Sequence, residues 1–301
     1  MEPGAYLWWY VDALSDDGRH ALTLIAFVGS VFSPYYRRAV AQGRGVPGDH
    51  CALNVTLYSP GASRWTMTER GAGHIERGRD HFRIGPSALH WRDGVLTIEI
   101  DEITCPLPRR VRGTVTVRPQ GLCRYVAALD AAGRHRWGPI APCADIEVAL
   151  DSPGLRWRGH AYVDSNEGDE PTTAAFDEWD WLRARTRDGR TVVVYDVRPR
   201  AGGEERLIAT RFGADGSAEP FDPPPRHALP LTGWRIRRHA RSETPSVVAS
   251  TLEDTPFYAR SMLRSRLLGE EVLAIHETLD VRRLDRGWVQ VLLPFRMPRR
   301  A

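Results

Sequence analysis

Apolar and polar residues alternate along most of this chain with a period near two, the pattern of strands that bury one face. Leu7 to Leu14 meets the turn Ser15-Asp16-Asp17-Gly18, and Ala21 to Val28 returns as an apolar run, which predicts a hairpin. Cys51 to Tyr58 precedes Ser59-Pro60-Gly61, His81 to Ile84 leads into Gly85-Pro86, and Leu89 to Trp91 turns at Arg92-Asp93-Gly94 into Val95 to Ile100. Arg110 to Val117 follows. The second half has the same texture: Leu155 to Asp164, Glu178 to Arg185, Thr191 to Val197, Glu204 to Phe212, Gly233 to Arg238, Val272 to Val281 and Trp288 to Phe295 all extend the sheet. One stretch departs. In Thr255 to Leu268, Phe257, Met262, Leu263 and Leu267 fit a 3.6-residue period and predict one short helix in the C-terminal half. Regular turn signals predict an all-β, mostly antiparallel sandwich or barrel architecture.

The tripeptide Tyr-Val-Asp occurs at 10–12 and again at 162–164, each time inside an aromatic run. That echo suggests two similar half-chains, 1–150 and 151–301, divided near Ser152-Pro153-Gly154. A net charge of +3 is too small to argue for nucleic acid. All 41 basic residues are Arg, which fits a G+C-rich genome and would also suit an anionic membrane surface. Cys51, Cys105, Cys123 and Cys143 are widely spaced and form no CxxC, so free thiols in a cytoplasm are expected, with no leader peptide. The longest apolar run, Ala21 to Phe32, is interrupted and shorter than the ~18 residues of a spanning helix.

A carboxylate among aromatic rings is costly unless it is paired, protonated or used. Strand parity places Trp8, Tyr10 and Asp12 on one face, and His160, Tyr162 and Asp164 on one face. In Val272 to Val281 the odd positions are apolar except Glu277, which can be either a buried proton donor or the partner of a buried Arg such as Arg260. Aromatic rings beside these acids, Trp8, Trp9, Trp157, Trp179 and Trp181 among them, can fill a core or face a cation. No metal-binding His or Cys spacing, nucleophile elbow, phosphate loop or dinucleotide fingerprint is present. An enzyme built this way would work without metal or cofactor, by acid–base chemistry on an apolar substrate.

Trp8 to Gly18, Ile25 to Tyr36, Ala52 to Val55, Met67 to Arg70, Tyr162 to Pro171 with Trp179-Asp180-Trp181, and Phe295 to Arg299 together resemble the carotenoid 1,2-hydratases (hydroxyneurosporene synthases) of phototrophic bacteria. The resemblance spans nearly the whole chain. It implies two lipocalin-like β-barrels, a superfamily that also holds cofactor-free pericyclases, so fold alone does not fix the reaction. It implies hydration of the terminal C1=C2 bond of an acyclic carotene such as neurosporene or lycopene. That chemistry needs protonation at C2, shelter for a tertiary cation at C1, and one held water. Asp164 is the first choice for the acid, with Glu277 and Asp12 behind it. Tyr162, Trp179, Trp181 and Trp9 would face the cation, and Asn166, His160 or Asp12 would orient the water. The partners expected are the carotenoid, water and a membrane surface, with no nucleic acid. The protein is expected in the cytoplasm, held peripherally at the inner or intracytoplasmic membrane through Phe32, Tyr35 and Tyr36. A polyene cyclase or pericyclase and a non-catalytic pigment carrier are the rival readings.

Overall fold

The computed structural model describes residues 1–200 and 203–300. In chain order its strands are β1 (Tyr6–Ser15), β2 (Ala21–Val28), β3 (Cys51–Tyr58), β4 (Arg64–Arg70), β5 (Ile75–Arg77), β6 (His81–Ile84), β7 (Ser87–Arg92), β8 (Val95–Ile103), β9 (Arg110–Pro119), β10 (Ala127–Ala128), β11 (His135–Ser152), β12 (Leu155–Gly168), β13 (Phe176–Arg185), β14 (Thr191–Pro199), β15 (Arg206–Phe212), β16 (Ala218–Pro220), β17 (Arg226–Ala228), β18 (His239–Arg241), β19 (Val247–Asp254), β20 (Tyr258–Leu267), β21 (Glu270–Asp280) and β22 (Arg299–Arg300). The helices are α1 (Pro34–Ala41), α2 (Thr172–Ala175), α3 (Val281–Leu284) and α4 (Gly287–Leu292). The described residues are thus mostly antiparallel β in large curled sheets, the lipocalin-like architecture expected.

Two compact units are present. One holds Met1–Val126, His135–Pro171 and the segment from Val291; the other holds Ala127–Arg134 and Thr172–Gln290. Ser152-Pro153-Gly154 is not a linker between them but the tight turn joining β11 to β12 within the first unit. The Tyr-Val-Asp echo also has a different meaning from a half-chain repeat. Its two copies are neighbours in one sheet, paired antiparallel about Val11 and Val163.

In the first unit the strand order is β22-β4-β3-β2-β1-β12-β11-β9-β8-β7-β6-β5. The β1–β2 hairpin forms because Gly18 takes φ +66°, a conformation costly for other residues, while Ser15 Oγ donates to Asp17 Oδ1 at 2.6 Å. One face of the sheet is largely apolar: Val11, Leu22, Leu24, Leu53, Val55 and Val163 pack with Phe82, Ile98 and Val115. The sheet curls until β4 meets β8 and β3 meets β6. Arg70 of β4 donates to Glu102 of β8 at 2.8 Å, both nearly solvent-free, and Ser87 Oγ donates to the other carboxylate oxygen at 2.8 Å. Burial pushes the Glu102 carboxyl up and Arg70 opposes it, so this pair joins the seam at a desolvation cost.

The second unit carries the order β16-β15-β14-β13-β21-β20-β19 and the ribbon β17-β18. Its apolar core includes Leu182, Val192, Leu263, Leu267 and Ala274. The helix expected over Thr255 to Leu268 is strand β20, paired on both sides. Apart from Arg260, its buried positions are Ala259, Ser261, Leu263, Ser265 and Leu267, a period of two that small serines conceal, while half-buried Met262 supplies the false helical spacing. The converse error occurs at Trp288 to Phe295, which is helical rather than extended. Gly233 to Arg238 is turn and irregular chain rather than strand.

Candidate active site

The β1–β12 register sets Tyr10 opposite Asp164, Asp12 opposite Tyr162 and Trp8 opposite Asn166. Cross-strand partners share a face, so these six side chains stand together on the face opposite the apolar core. Asp12 and Asp164 are diagonal neighbours there, roughly 7–8 Å apart in such a pairing. All six are buried; Asp12 is 0% and Asp164 3% exposed. The adjoining strands extend this face with Phe27, Ile25 and Thr23 of β2, and Asn54 and Thr56 of β3.

Asp164 is held by neutral donors. Trp137 Nε1 donates to its Oδ2 at 2.7 Å and Tyr162 OH donates to the same oxygen at 2.9 Å. Asn166 Nδ2 lies 3.5 Å from Oδ1. An indole N–H can only donate, so its direction is fixed by chemistry. Two neutral donors thus converge on Oδ2, and the Asn166 amide faces Oδ1. Rings surround the pair: Tyr10 and Tyr162 meet edge-on at 6.4 Å, Tyr6 stacks on Trp8 at 5.0 Å, and Trp8 reaches Phe27 at 6.0 Å. A polar row continues the face, with Tyr6 OH 2.8 Å from His135 Nδ1 and Glu170 3.5 Å from His135 Nε2.

Of the residues expected from sequence, Asp164, Asp12, Tyr162, Asn166 and His160 share this face. Trp9 does not. Its odd position turns it to the apolar core, where it meets Phe82 at 5.5 Å and lies under the Arg77 guanidinium at 5.2 Å. Phe32, Tyr35 and Tyr36 are not an exposed aromatic loop. Ser33 caps α1 by accepting the Tyr36 N–H at 2.9 Å, Pro34 suits its first turn, and Phe32 and Tyr35 are half-buried. Tyr36 is buried and donates to the Ala5 carbonyl at 2.7 Å; burial pushes its hydroxyl up to about 12. Among residues that sequence reasoning missed, Trp137 matters most. Its only signal was the alternation His135-Arg136-Trp137 at the start of β11, whose later bulges break the parity.

Glu277, Trp179 and Trp181 lie in the second unit. In register, Trp181 stands between Tyr195 and Glu277, and Arg260 stands opposite Glu277 on β20. Arg260, fully buried, donates from Nη1 to Glu277 Oε1. A carboxyl held by a guanidinium is an ion-pair member, not a poised proton donor. The opposite face of the same strands carries a second charged cluster. Asp180 accepts from Arg198 at 2.6 Å, and Asp196 from Arg241 at 2.8 Å. Among the described residues, no group of three or more His, Cys, Asp or Glu is placed to hold a metal ion.

Residues 24–301 match the family described as carotenoid hydratase CrtC. The chain is 60% identical over 305 residues to the acyclic carotenoid 1,2-hydratase of Rubrivivax gelatinosus, covering all of this chain and 75% of that one. It is 52% identical over 302 residues to the acyclic carotenoid 1,2-hydratase of Thiocapsa roseopersicina, covering 99% and 74%. In fold it is similar to a protein described as AttH from Nitrosomonas europaea, with a TM-score of 0.64 at 15% identity over 91% of each chain. The first two likenesses extend along the whole chain and include both strands of the Asp164 face. The chain therefore belongs to the carotenoid hydratase family CrtC.

Proposed function

We propose that this protein is an acyclic carotenoid 1,2-hydratase, a hydro-lyase, and that Asp164 is its acid. The observation that carries the assignment is the convergence of Trp137 and Tyr162 on a single oxygen of a buried carboxyl. Asp164 gives its proton to C2 of the terminal double bond. The π electrons form the new C–H bond, and a tertiary cation is left at C1. The rings of Tyr10, Tyr162 and Trp8 present negative faces to that cation, each worth roughly 0.5–2 kcal/mol. Water attacks C1, and the proton it sheds returns to the carboxylate of Asp164, so no cofactor is consumed. Asp12, diagonal to Asp164 and fully buried, orients that water, with Asn166 and His160 beside it. General acid catalysis supplies about 10²–10⁴ in rate, and positioning with fixed dipoles supplies the remainder.

Trp179 and Trp181 are retained as substrate-contacting aromatics of the second unit. The substrate is a long hydrocarbon, so the reading also keeps the enzyme peripherally on a membrane, on its cytoplasmic side. Incubation with lycopene in heavy-oxygen water tests the reaction. One labelled oxygen in the product supports hydration, an isomer of unchanged mass would mean cyclisation, and unaltered bound pigment would mean a carrier.

A further inference from the structure

The helical segment at the C-terminus is built the wrong way round for a helix that only closes a core. Val289 and Leu293 are buried, yet Trp288, Val291, Leu292 and Phe295 are 50, 67, 44 and 65% exposed. Their spacing of i, i+3, i+4 and i+7 makes one stripe on a continuous helical run. Trp234, 47% exposed, stacks on Trp288 at 6.3 Å between ring centres. It is held there by Arg283 of α3, which donates to the Trp234 carbonyl at 2.7 Å and the Arg235 carbonyl at 3.1 Å. Two stacked indoles fixed outward, one of them on a helical run whose next turn also exposes large apolar side chains, exceed the scattered exposure ordinary surfaces show.

The flanking charge is mainly basic, although half-buried Asp254 accepts the Trp234 N–H at 3.2 Å and Asp285, beside Arg286, pairs with Arg200 at 3.6 Å. Arg235, Arg237 and Arg286 are exposed beside the indoles. No acidic residue occurs between Arg226 and Ser242 or between Arg286 and Arg300. Indole rings with aliphatic residues and a basic rim match the chemistry of a lipid headgroup layer over acyl chains. No helix among the described residues is long and apolar enough to cross a membrane.

We propose that this face, centred on the Trp234–Trp288 stack, docks onto an anionic lipid bilayer. The purpose rests on the hydratase reading, since a carotene dissolves in the bilayer and has to be drawn from it. The docking itself rests on the surface alone. It also replaces Phe32, Tyr35 and Tyr36 as the point of membrane contact.

The test is co-sedimentation of the full chain with vesicles of phosphatidylcholine alone and of phosphatidylcholine with phosphatidylglycerol in equal parts. The wild type is expected to bind the mixed vesicles, to release with added salt, and to bind the neutral vesicles weakly. Trp234→Ser with Trp288→Ser should weaken binding at least about tenfold. Arg235→Glu with Arg286→Glu should weaken it at least about fivefold, with the loss confined to anionic vesicles. Wild type left in the supernatant, or either double variant sedimenting like the wild type, would overturn the proposal. So would a wild-type dimer that the indole variant converts to monomer without any vesicle binding, since the face would then serve self-association. Turnover of lycopene in detergent micelles separates the two readings. It should survive both double variants, and its absence in the wild type would sink the hydratase reading while sedimentation still decides the docking.

Discussion

Asp164 and Glu277 are both carboxyls largely withdrawn from solvent on an aromatic β face, the first buried and the second partly so, and the fold treats them in opposite ways. Asp164 takes hydrogen bonds from an indole and a phenol, both neutral. Glu277 takes its bond from the guanidinium of a fully buried Arg260. Neutral donors can hold a carboxyl in place whether or not it carries a proton. A guanidinium holds only the anion well. Burial and aromatic company therefore do not by themselves make an acid catalyst; the charge of the nearest donor decides.

The largest effect expected is the difference between Asp164→Asn and Glu277→Gln in turnover. The first should cost about 10²–10⁴ in kcat, and the second less than about tenfold per folded molecule. Equal losses would erase the contrast. Stability should reverse the order. Glu277→Gln leaves Arg260 buried without its anion and should cost about 3 kcal/mol in the denaturant midpoint, whereas Asp164→Asn should stay within roughly 1 kcal/mol. Next come the donors to Asp164. Trp137→Phe and Tyr162→Phe should each lower kcat about tenfold with little change in KM, and the double variant should lose less than the product of the two. If either single change raises KM alone, that ring only binds.

The smallest effect concerns the strand that carries Glu277. His276 is buried on the other face and donates from Nε2 to the His239 carbonyl at 2.7 Å. Burial pushes its imidazolium form well down from 6.5. The unfolded chain then binds the proton first, so stability is full above 6.5 and falls as the pH drops below it. The slope contributed is at most about 1.4 kcal/mol per pH unit. His276→Gln should flatten the fall of Tm between pH 6.5 and 5, and an unchanged slope would place the sensitivity elsewhere.

Much of the Asp164 face was legible in the chain, because alternation in β1 and β12 fixes which residues share a side. The repeated Tyr-Val-Asp pointed to both acids, although its cause is pairing within one sheet and not duplication of a half. Arg260 could be named as a partner for Glu277 because parity leaves that acid alone among apolar neighbours. Trp137 could not be found. It reaches Asp164 from a strand 27 residues away, and the bulges of β11 spoil any count from a known position. Periodicity failed where residue size and exposure broke the usual link with hydrophobicity. Serines occupy buried positions in β20, and large apolar residues occupy exposed ones after Gly287.

Infrared difference spectroscopy of the folded protein at neutral pH sees the proton on the Asp164 carboxyl itself. A protonated-carboxyl band is expected in the wild type, persisting in Glu277→Gln and disappearing in Asp164→Asn. A spectrum without that band, or a band that survives Asp164→Asn, would contradict the assignment of Asp164 as the acid.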